Sequence, residues 1–362
     1  MRAALYMSAG HVVVEDVPDP ALSEPTDAVV RVLRAAICGS DLWSYRGVIT
    51  RAEQSRLGHE FIGIVEEVGS EVRAVRPGDL VVAPFTWSDN TCPACLDGIQ
   101  SSCERGGTFG APGADGGQGQ AVRVPWADGT LVKVPGGPTG VDESAYPALL
   151  SASDVMGTGL HGAVMAGVAE GSTVAVIGDG AVGLCAVLGA KSILGAERIF
   201  LMSRHADRAA VGKSFGATDV IAERGEEGIA AVRERTGGLG VRHVIEAVGT
   251  PESWAMAVGM ARDGGSIGAV GVPHTAPTLP LFQPLVHNLS LNLGIAPVRR
   301  YLPDLISRIT AGTLDPGPVF DTVLPLENVA QGYAAMAARE SIKTMLTTGD
   351  LWSTVSRSAS RP

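Results

Sequence analysis

The chain has 362 residues, too many for one ordinary domain, so two domains of roughly 150–200 residues each are expected. Hydrophobic residues make up 45% and charged residues 18%, which allows sizeable cores and carries no signature of disorder. A net charge of −10 argues against nucleic acid or an anionic membrane as the main partner.

No apolar run reaches the roughly 18–20 residues of a membrane span, and acidic residues follow the N-terminus too soon for a signal peptide. A soluble, cytoplasmic protein is expected. Its five cysteines should be reduced there, so clustered ones read as metal ligands before disulfides.

From residue 1 to about 150 the chain reads as short strands: HVVVEDV, DAVVRVLRAAI, FIGIVEEVGS, GDLVVAP and QAVRVP. Turn residues (VRPGD, KVPGGP) break them at close intervals, the pattern of a β-rich domain. From about 172 the rhythm changes. The strand TVAVIG leads into a helical AVGLCAVLGAKSIL, then come the strand RIFLM, the helix HADRAAVGKSFGA and the strand DVIA. EEGIAAVRERTG, VRHVIEAVG, PESWAMAVGMARDGG and SIGAVGV continue the alternation, and LSLNLGIA is a last strand. Strands alternating with helices predict a parallel, doubly wound sheet, so the fold class is α/β. Beyond about 298 come the helix RRYLPDLISRITAG and short segments ending at IKTMLTTG, and the polar tail WSTVSRSASRP is expected to be mobile.

Within TVAVIGDGAVG, Gly178, Gly180 and Gly183 stand between a strand and a helix. The first glycine permits a tight turn, the second a close approach to a pyrophosphate, and the third close helix–strand packing. With Ala181 and Val182 opening the helix, its N-terminus faces the anion. The next strand runs into Ser203, Arg204 and His205, with no carboxylate before Asp207. Ser203 can hydrogen-bond a 2′-phosphate and Arg204 or His205 can neutralise it, which favours NADP(H) over NAD(H); a solvated loop that happens to be basic is the alternative.

Two further sets of residues carry chemistry. CGSD at 38–41, GHE at 58–60 and SASD at 151–154 place Cys38, His59, Glu60 and Asp154 near strand and helix ends, a plausible zinc shell with one exchangeable position. In DNTCPACLDGIQSSC, Cys92, Cys95 and Cys103 are spaced as if a fourth ligand preceded them, and that position holds Asp89. Either its carboxylate completes the site, or S-D-N is only a turn beside a metal-free remnant. The zinc reading is favoured, because carboxylate carries the same charge as thiolate and bare clustered thiols are open to oxidation.

Together these motifs resemble the zinc-dependent medium-chain alcohol dehydrogenases over almost the whole length: GHE before FIGIVEEVGS, VRPGD, the D/C-x2-C-x2-C-x7-C loop, and GDGAVG. The resemblance implies a GroES-like catalytic domain over 1–157 and 298–362, interrupted by a Rossmann domain over 158–297. It implies that Cys38, His59 and Asp154 ligate the catalytic zinc with Glu60 as a mobile fourth ligand, and that Asp89, Cys92, Cys95 and Cys103 hold a structural zinc. Asp41 matches the residue that orients the ligating imidazole, and Ser40 the hydroxyl that takes the alcohol proton. Trp43 stands where many relatives carry a proton-relaying histidine, leaving ribose hydroxyls, water or Tyr45 as the exit route.

Trp43, Phe85, Trp87 and Phe109 suggest an aromatic pocket for an apolar or bulky substrate, although aromatic residues near a core are usually packing. Lys343 reads either as a basic residue against the coenzyme pyrophosphate or as a surface lysine. Cys185 and His161 read as structural. The implied activity is hydride transfer between NADP(H) and a primary or secondary alcohol, or the matching aldehyde or ketone. The alternatives are an NAD-dependent polyol or sugar dehydrogenase and a catalytically silent nucleotide-binding scaffold or redox sensor. The resemblance also implies a homodimer or homotetramer built through LSLNLGIA.

Overall fold

The computed structural model describes residues 1–273 and 281–349, and the expectation of a mobile tail lies outside them. The chain forms two units, Met1–Asp154 with Val298–Pro362, and Val155–Pro297.

The first unit is β-rich. Strands β1 (Arg2–Ser8) and β2 (His11–Asp16) form a hairpin whose turn is made by Gly10 in the left-handed region. The sequence pattern does not pick out β1, because RAALYMS lacks both strict alternation and β-branched residues. The main sheet is built on β3 (Ala28–Ala36), β4 (Glu60–Val68), β5 (Leu80–Ala83) and β6 (Ala121–Val124). β4 pairs antiparallel with both β3 and β5. The first six residues of β4 are all buried, so it is covered on both faces and reads as a continuous apolar run after Glu60. Phe61 and Phe109 lie edge to face in the core, with Tyr333, Ile37 and Leu57 in the same cluster.

The second unit is a six-stranded parallel sheet. In chain order its strands are β7 (Thr173–Ile177), β8 (Arg198–Met202), β9 (Asp219–Ile221), β10 (Val241–Glu246), β11 (Ala261–Ala269) and β12 (Ser290–Leu293). The spatial order is β9-β8-β7-β10-β11-β12, the doubly wound arrangement that binds ligands at the carboxyl ends of its strands. Ile177 pairs with Met202 and with Glu246, and Met202 with Ile221, so the loops leaving β7, β8, β9 and β10 share one edge. β12 is one of the two outer strands. Near it Leu293 and Ile295 are exposed, as are Phe282 (71%) and Leu285 (75%) of the preceding short helix.

The chain then returns to the first unit, adding β13 (Thr322–Pro325) and β14 (Thr344–Thr347) to the main sheet. β14 pairs antiparallel with β3, Met345 opposite Ala36. Among the described residues no helix is long and apolar enough to cross a membrane.

Candidate functional site

Strand register assembles the first site. Ala36, the last residue of β3, is paired with Glu60 on one side and Met345 on the other. Cys38, His59–Glu60 and Lys343 therefore reach the same edge of the sheet. Asp154 arrives from the end of helix Tyr146–Ala152, where Phe85 N–H donates to Ser153 O at 3.0 Å.

One donor atom from each of Cys38, His59, Glu60 and Asp154 lies within 4.8 Å of the others. Asp154 Oδ2 is 3.6 Å from Cys38 Sγ and 3.4 Å from His59 Nε2. His59 Nδ1 faces away from them, 3.6 Å from Asp41 Oδ1. Burial pushes the Cys38 thiol up, and Asp154 and Glu60 add to that push against His59. A cation would reverse this balance and favour the thiolate.

The residues fit a divalent metal on one further observation. Glu60 is fully buried, its Oε1 accepts from Lys343 Nζ at 2.6 Å, and its Oε2 is buried with no hydrogen-bond partner. A buried carboxylate oxygen left without a donor needs a cation or a water. Sulfur, nitrogen and oxygen donors in one cluster suit zinc.

Lys343 is 1% exposed, which corrects the surface reading: the register of β14 carries it inside. Its Nζ also donates to Ile37 O at 3.3 Å and lies 5.8 Å from the Phe320 ring. Burial works against its charge, but the Glu60 carboxylate, together with Cys38 and Asp154 beside it, outweighs burial and holds the ammonium above the usual lysine range.

Ser40 is exposed and opens the short helix α1 (Asp41–Tyr45), which also carries Trp43. The four aromatic residues part company. The Phe85 ring lies 6.2 Å from the His59 ring, edge on. Phe109 is a core residue packed between Phe61 and Trp87. Trp87 and Phe109 also line a separate cavity of about 510 Å³ with Pro20, Pro112, Asp115 and Arg123, which includes none of Cys38, His59 or Asp154.

In the cysteine loop, the donor atoms of Asp89, Cys92, Cys95 and Cys103 also lie within 4.8 Å of one another. Cys92 and Cys103 Sγ are 3.8 Å apart, and none of the five cysteines forms a disulfide. Asp89 does make a turn: its Oδ1 accepts from Thr91 N–H at 2.9 Å and Cys92 N–H at 3.0 Å, with Asn90 left-handed between them. The same oxygen is 3.4 Å from Cys103 Sγ, so the turn aims the carboxylate into the thiol cluster. Arg105 Nη1 donates to Oδ2 at 3.0 Å. Although burial opposes it, the backbone N–H bonds from Thr91 and Cys92 hold Asp89 well below the usual carboxylate range.

In the second unit, Gly178 has φ +117°, and a Cβ on Gly183 would stand 1.9 Å from Gly178 O. Gly180 caps the helix Ala181–Ser192, and a Cβ there would meet nothing within 4 Å. That open ground over a helix N-terminus fits a pyrophosphate. Cys185 is buried inside this helix.

Ser203 is buried and donates to Asp179 Oδ2 at 2.8 Å, and Arg208 Nη1 lies 3.6 Å from Asp179 Oδ1. Arg204 is exposed and His205 half-buried. Sequence reasoning missed Asp179, although its signal was present: an acidic residue inside the glycine motif itself. It also missed Arg224, whose Nη1 is buried without a hydrogen-bond partner near Asp179 and Arg204.

Known proteins resemble this chain throughout. Residues 24–136 match the alcohol dehydrogenase GroES-like domain and residues 181–311 the zinc-binding dehydrogenase domain. A probable zinc-binding alcohol dehydrogenase of Mycobacterium tuberculosis is 40% identical, over 94% of this chain and 86% of its own length. An alcohol dehydrogenase from Thermus sp. ATN1 superposes with a TM-score of 0.88 at 37% identity, covering 96% of this chain and all of the other. A putative zinc-binding dehydrogenase from Sinorhizobium meliloti, solved bound to NADP, gives 0.79 at 26% identity, covering 96% and 98%.

Proposed function

This chain belongs to the zinc-binding medium-chain alcohol dehydrogenases, and from that premise we propose how its residues divide the reaction. The activity itself is zinc-dependent alcohol dehydrogenation.

Cys38, His59 and Asp154 hold the catalytic zinc, and Glu60 is an exchangeable fourth ligand. The observation that carries this reading is the buried, partnerless Oε2 of Glu60 beside three other donors. Zinc at such a site supplies an acid that lowers the pKa of an alcohol hydroxyl or polarises a carbonyl. A nicotinamide coenzyme on the glycine loop supplies the hydride acceptor.

The remaining work falls to the protein. Ser40, exposed at the head of α1, takes the alcohol proton. Asp41 fixes the tautomer of His59 so that Nε2 is free to bind metal. Cys38, Asp154 and Glu60 bring three negative charges to one cation, a surplus that disfavours a negatively charged substrate oxygen. Lys343 offsets one of them through its ion pair with Glu60.

NADP(H) is the preferred coenzyme in this reading. Arg204 and His205 after β8, and the unpartnered Nη1 of Arg224, support an anion at the adenosine end. A second reading, NAD(H), is favoured by Asp179, whose carboxylate already takes the Ser203 hydroxyl and stands where a ribose hydroxyl could be bound. Phe85 beside His59 supports an apolar or bulky alcohol or ketone. The exposed Phe282, Leu285 and Leu293 near the outer strand β12 support a homo-oligomer that covers this edge.

The test is a panel of alcohols and ketones with each coenzyme, run on protein of measured zinc content. Activity should rise with occupancy of the Cys38 site, and Ser40→Ala should lower kcat far more than it changes coenzyme affinity. Full turnover in Ser40→Ala removes Ser40 from the mechanism.

A further inference from the structure

Beneath the metal-binding residues runs a buried chain of side chains drawn from four distant parts of the sequence. Tyr333 Oη, on helix Val329–Ala338, donates to Gln118 Oε1 at 3.0 Å. Gln118 Nε2 donates to Ala36 O at 3.0 Å and to Asp41 Oδ2 at 3.3 Å. Asp41 Oδ2 also accepts the Cys38 N–H at 3.1 Å, which leaves Asp41 Oδ1 facing His59 Nδ1. Tyr333 and Gln118 are completely buried, and Asp41 and His59 nearly so.

The polar atoms of Gln118 are fully allocated, and only one amide orientation serves them. Its two N–H donors meet two acceptors, Ala36 O and Asp41 Oδ2, while its oxygen meets a hydroxyl donor. A flipped amide would set its oxygen against both acceptors. The backbone agrees with this placement. Gln118 N–H donates to Leu57 O, and a Cβ on Gly58 would come within 2.4 Å of Gln118 Cγ. Glycine in G-H-E therefore makes room for Gln118 directly before the metal-binding histidine.

We propose that Gln118 is a positioning residue for the metal-binding imidazole, with Tyr333 locking its amide. By holding Asp41 Oδ2, Gln118 keeps Oδ1 turned to His59 Nδ1, so the ring proton stays there and the Nε2 lone pair points at Cys38 and Asp154. Nothing in the motif G-Q-G-Q marks this role in the sequence. The inference rests on the reading that Cys38, His59 and Asp154 hold a metal.

The experiment uses cobalt(II) in place of zinc in the full chain. The visible spectrum of the Cys38 site is isolated as the difference between wild type and Cys38→Ser. A wild type without that difference spectrum overturns the metal reading itself. With the spectrum present, Gln118→Leu should weaken cobalt at this site by about 10–100-fold and alter its ligand-field bands. Tyr333→Phe, a milder change that removes the donor to the amide oxygen and loosens the Gln118 side chain, should move affinity in the same direction by a smaller factor. The asparagine-length change is avoided because it also opens space against Gly58. If both variants fold, as judged by circular dichroism, and bind cobalt with wild-type affinity and spectrum, the positioning role is overturned. If Gln118→Leu fails to fold, Tyr333→Phe decides the question alone.

Discussion

Replacing Lys343 with methionine keeps its length and apolar stem and deletes its charge. Glu60 then remains fully buried with no cation at 2.6 Å, and neither of its oxygens has a strong donor. Removing one member of a buried ion pair costs about 3–5 kcal/mol, because the survivor is left uncompensated. The lost contact of Nζ with the Phe320 ring, long at 5.8 Å, adds about 0.5–1 kcal/mol. In a unit of this size each kcal/mol is worth roughly 2–4 °C, so the melting transition of the metal-free protein should fall by about 7–24 °C. Differential scanning calorimetry on chelator-treated samples measures it. Glu60→Gln in the Lys343→Met background removes the stranded charge and should recover most of the loss, and the double-mutant cycle gives the coupling. With zinc present, Glu60 released from Lys343 should turn toward the cation, adding an oxygen ligand by X-ray absorption. A transition within about 2 °C of wild type, or a double variant no more stable than Lys343→Met, would refute the reasoning, since either outcome means the pair is not ionised.

Asp89→Ala should lower the metal content from two zincs per chain to one while sparing the Cys38 site; plasma mass spectrometry counts them, and an unchanged count removes Asp89 from the ligands. Arg204→Ala should weaken NADP⁺ by about 1–3 kcal/mol and leave NAD⁺ nearly unchanged, whereas Asp179→Asn should weaken NAD⁺ more than NADP⁺; fluorescence titration with both coenzymes separates the two. Asp219 receives two bonds from Arg198, both at 3.0 Å, and the Arg198 guanidinium holds its carboxyl below the usual range. The stability this pair gives β8 and β9 is thus present above about pH 4 and fades as pH falls through the lowered range of the folded carboxyl, so Asp219→Asn should cost roughly 0.5–1 kcal/mol at pH 7 and less as the solution is acidified. Sedimentation at micromolar concentration should find an oligomer, and Phe282→Ser with Leu285→Ser should shift it toward monomer.

Much of the second unit was legible because both of its signals are local. Apolar strands of five or six residues such as TVAVI and RIFLM alternate with helices, and three glycines mark the turn between the first strand and its helix. The residues of the Cys38 cluster were legible for a different reason: cysteine, histidine and aspartate in C-G-S-D, G-H-E and S-A-S-D are few and conspicuous. What the sequence did not disclose was pairing at a distance. Lys343 gave no sign of burial, because its place depends on the register of β14 against β3, set by residues far upstream. The surroundings of the aromatic residues were hidden for the same reason. Trp87 is only two residues from Phe85, yet its ring packs on Phe109 while the Phe85 ring lies beside His59.

The return of the chain to its first unit has a consequence for synthesis on the ribosome. Lys343 is separated from Ile37 by 306 residues, and the whole of the second unit is translated between them. At about 5–20 residues per second that interval lasts roughly 15–60 s. Throughout it the Arg34–Ala36 end of β3 waits without β14, a bare strand edge open to pairing with other nascent chains. Glu60, made 283 residues before Lys343, waits almost as long for its ammonium partner. The parallel sheet of the second unit can meanwhile complete itself, since all its strands lie within 173–293. A ribosome stalled shortly before residue 343 would therefore carry one finished domain and one with an open seam beside its metal ligands, the species most in need of a chaperone.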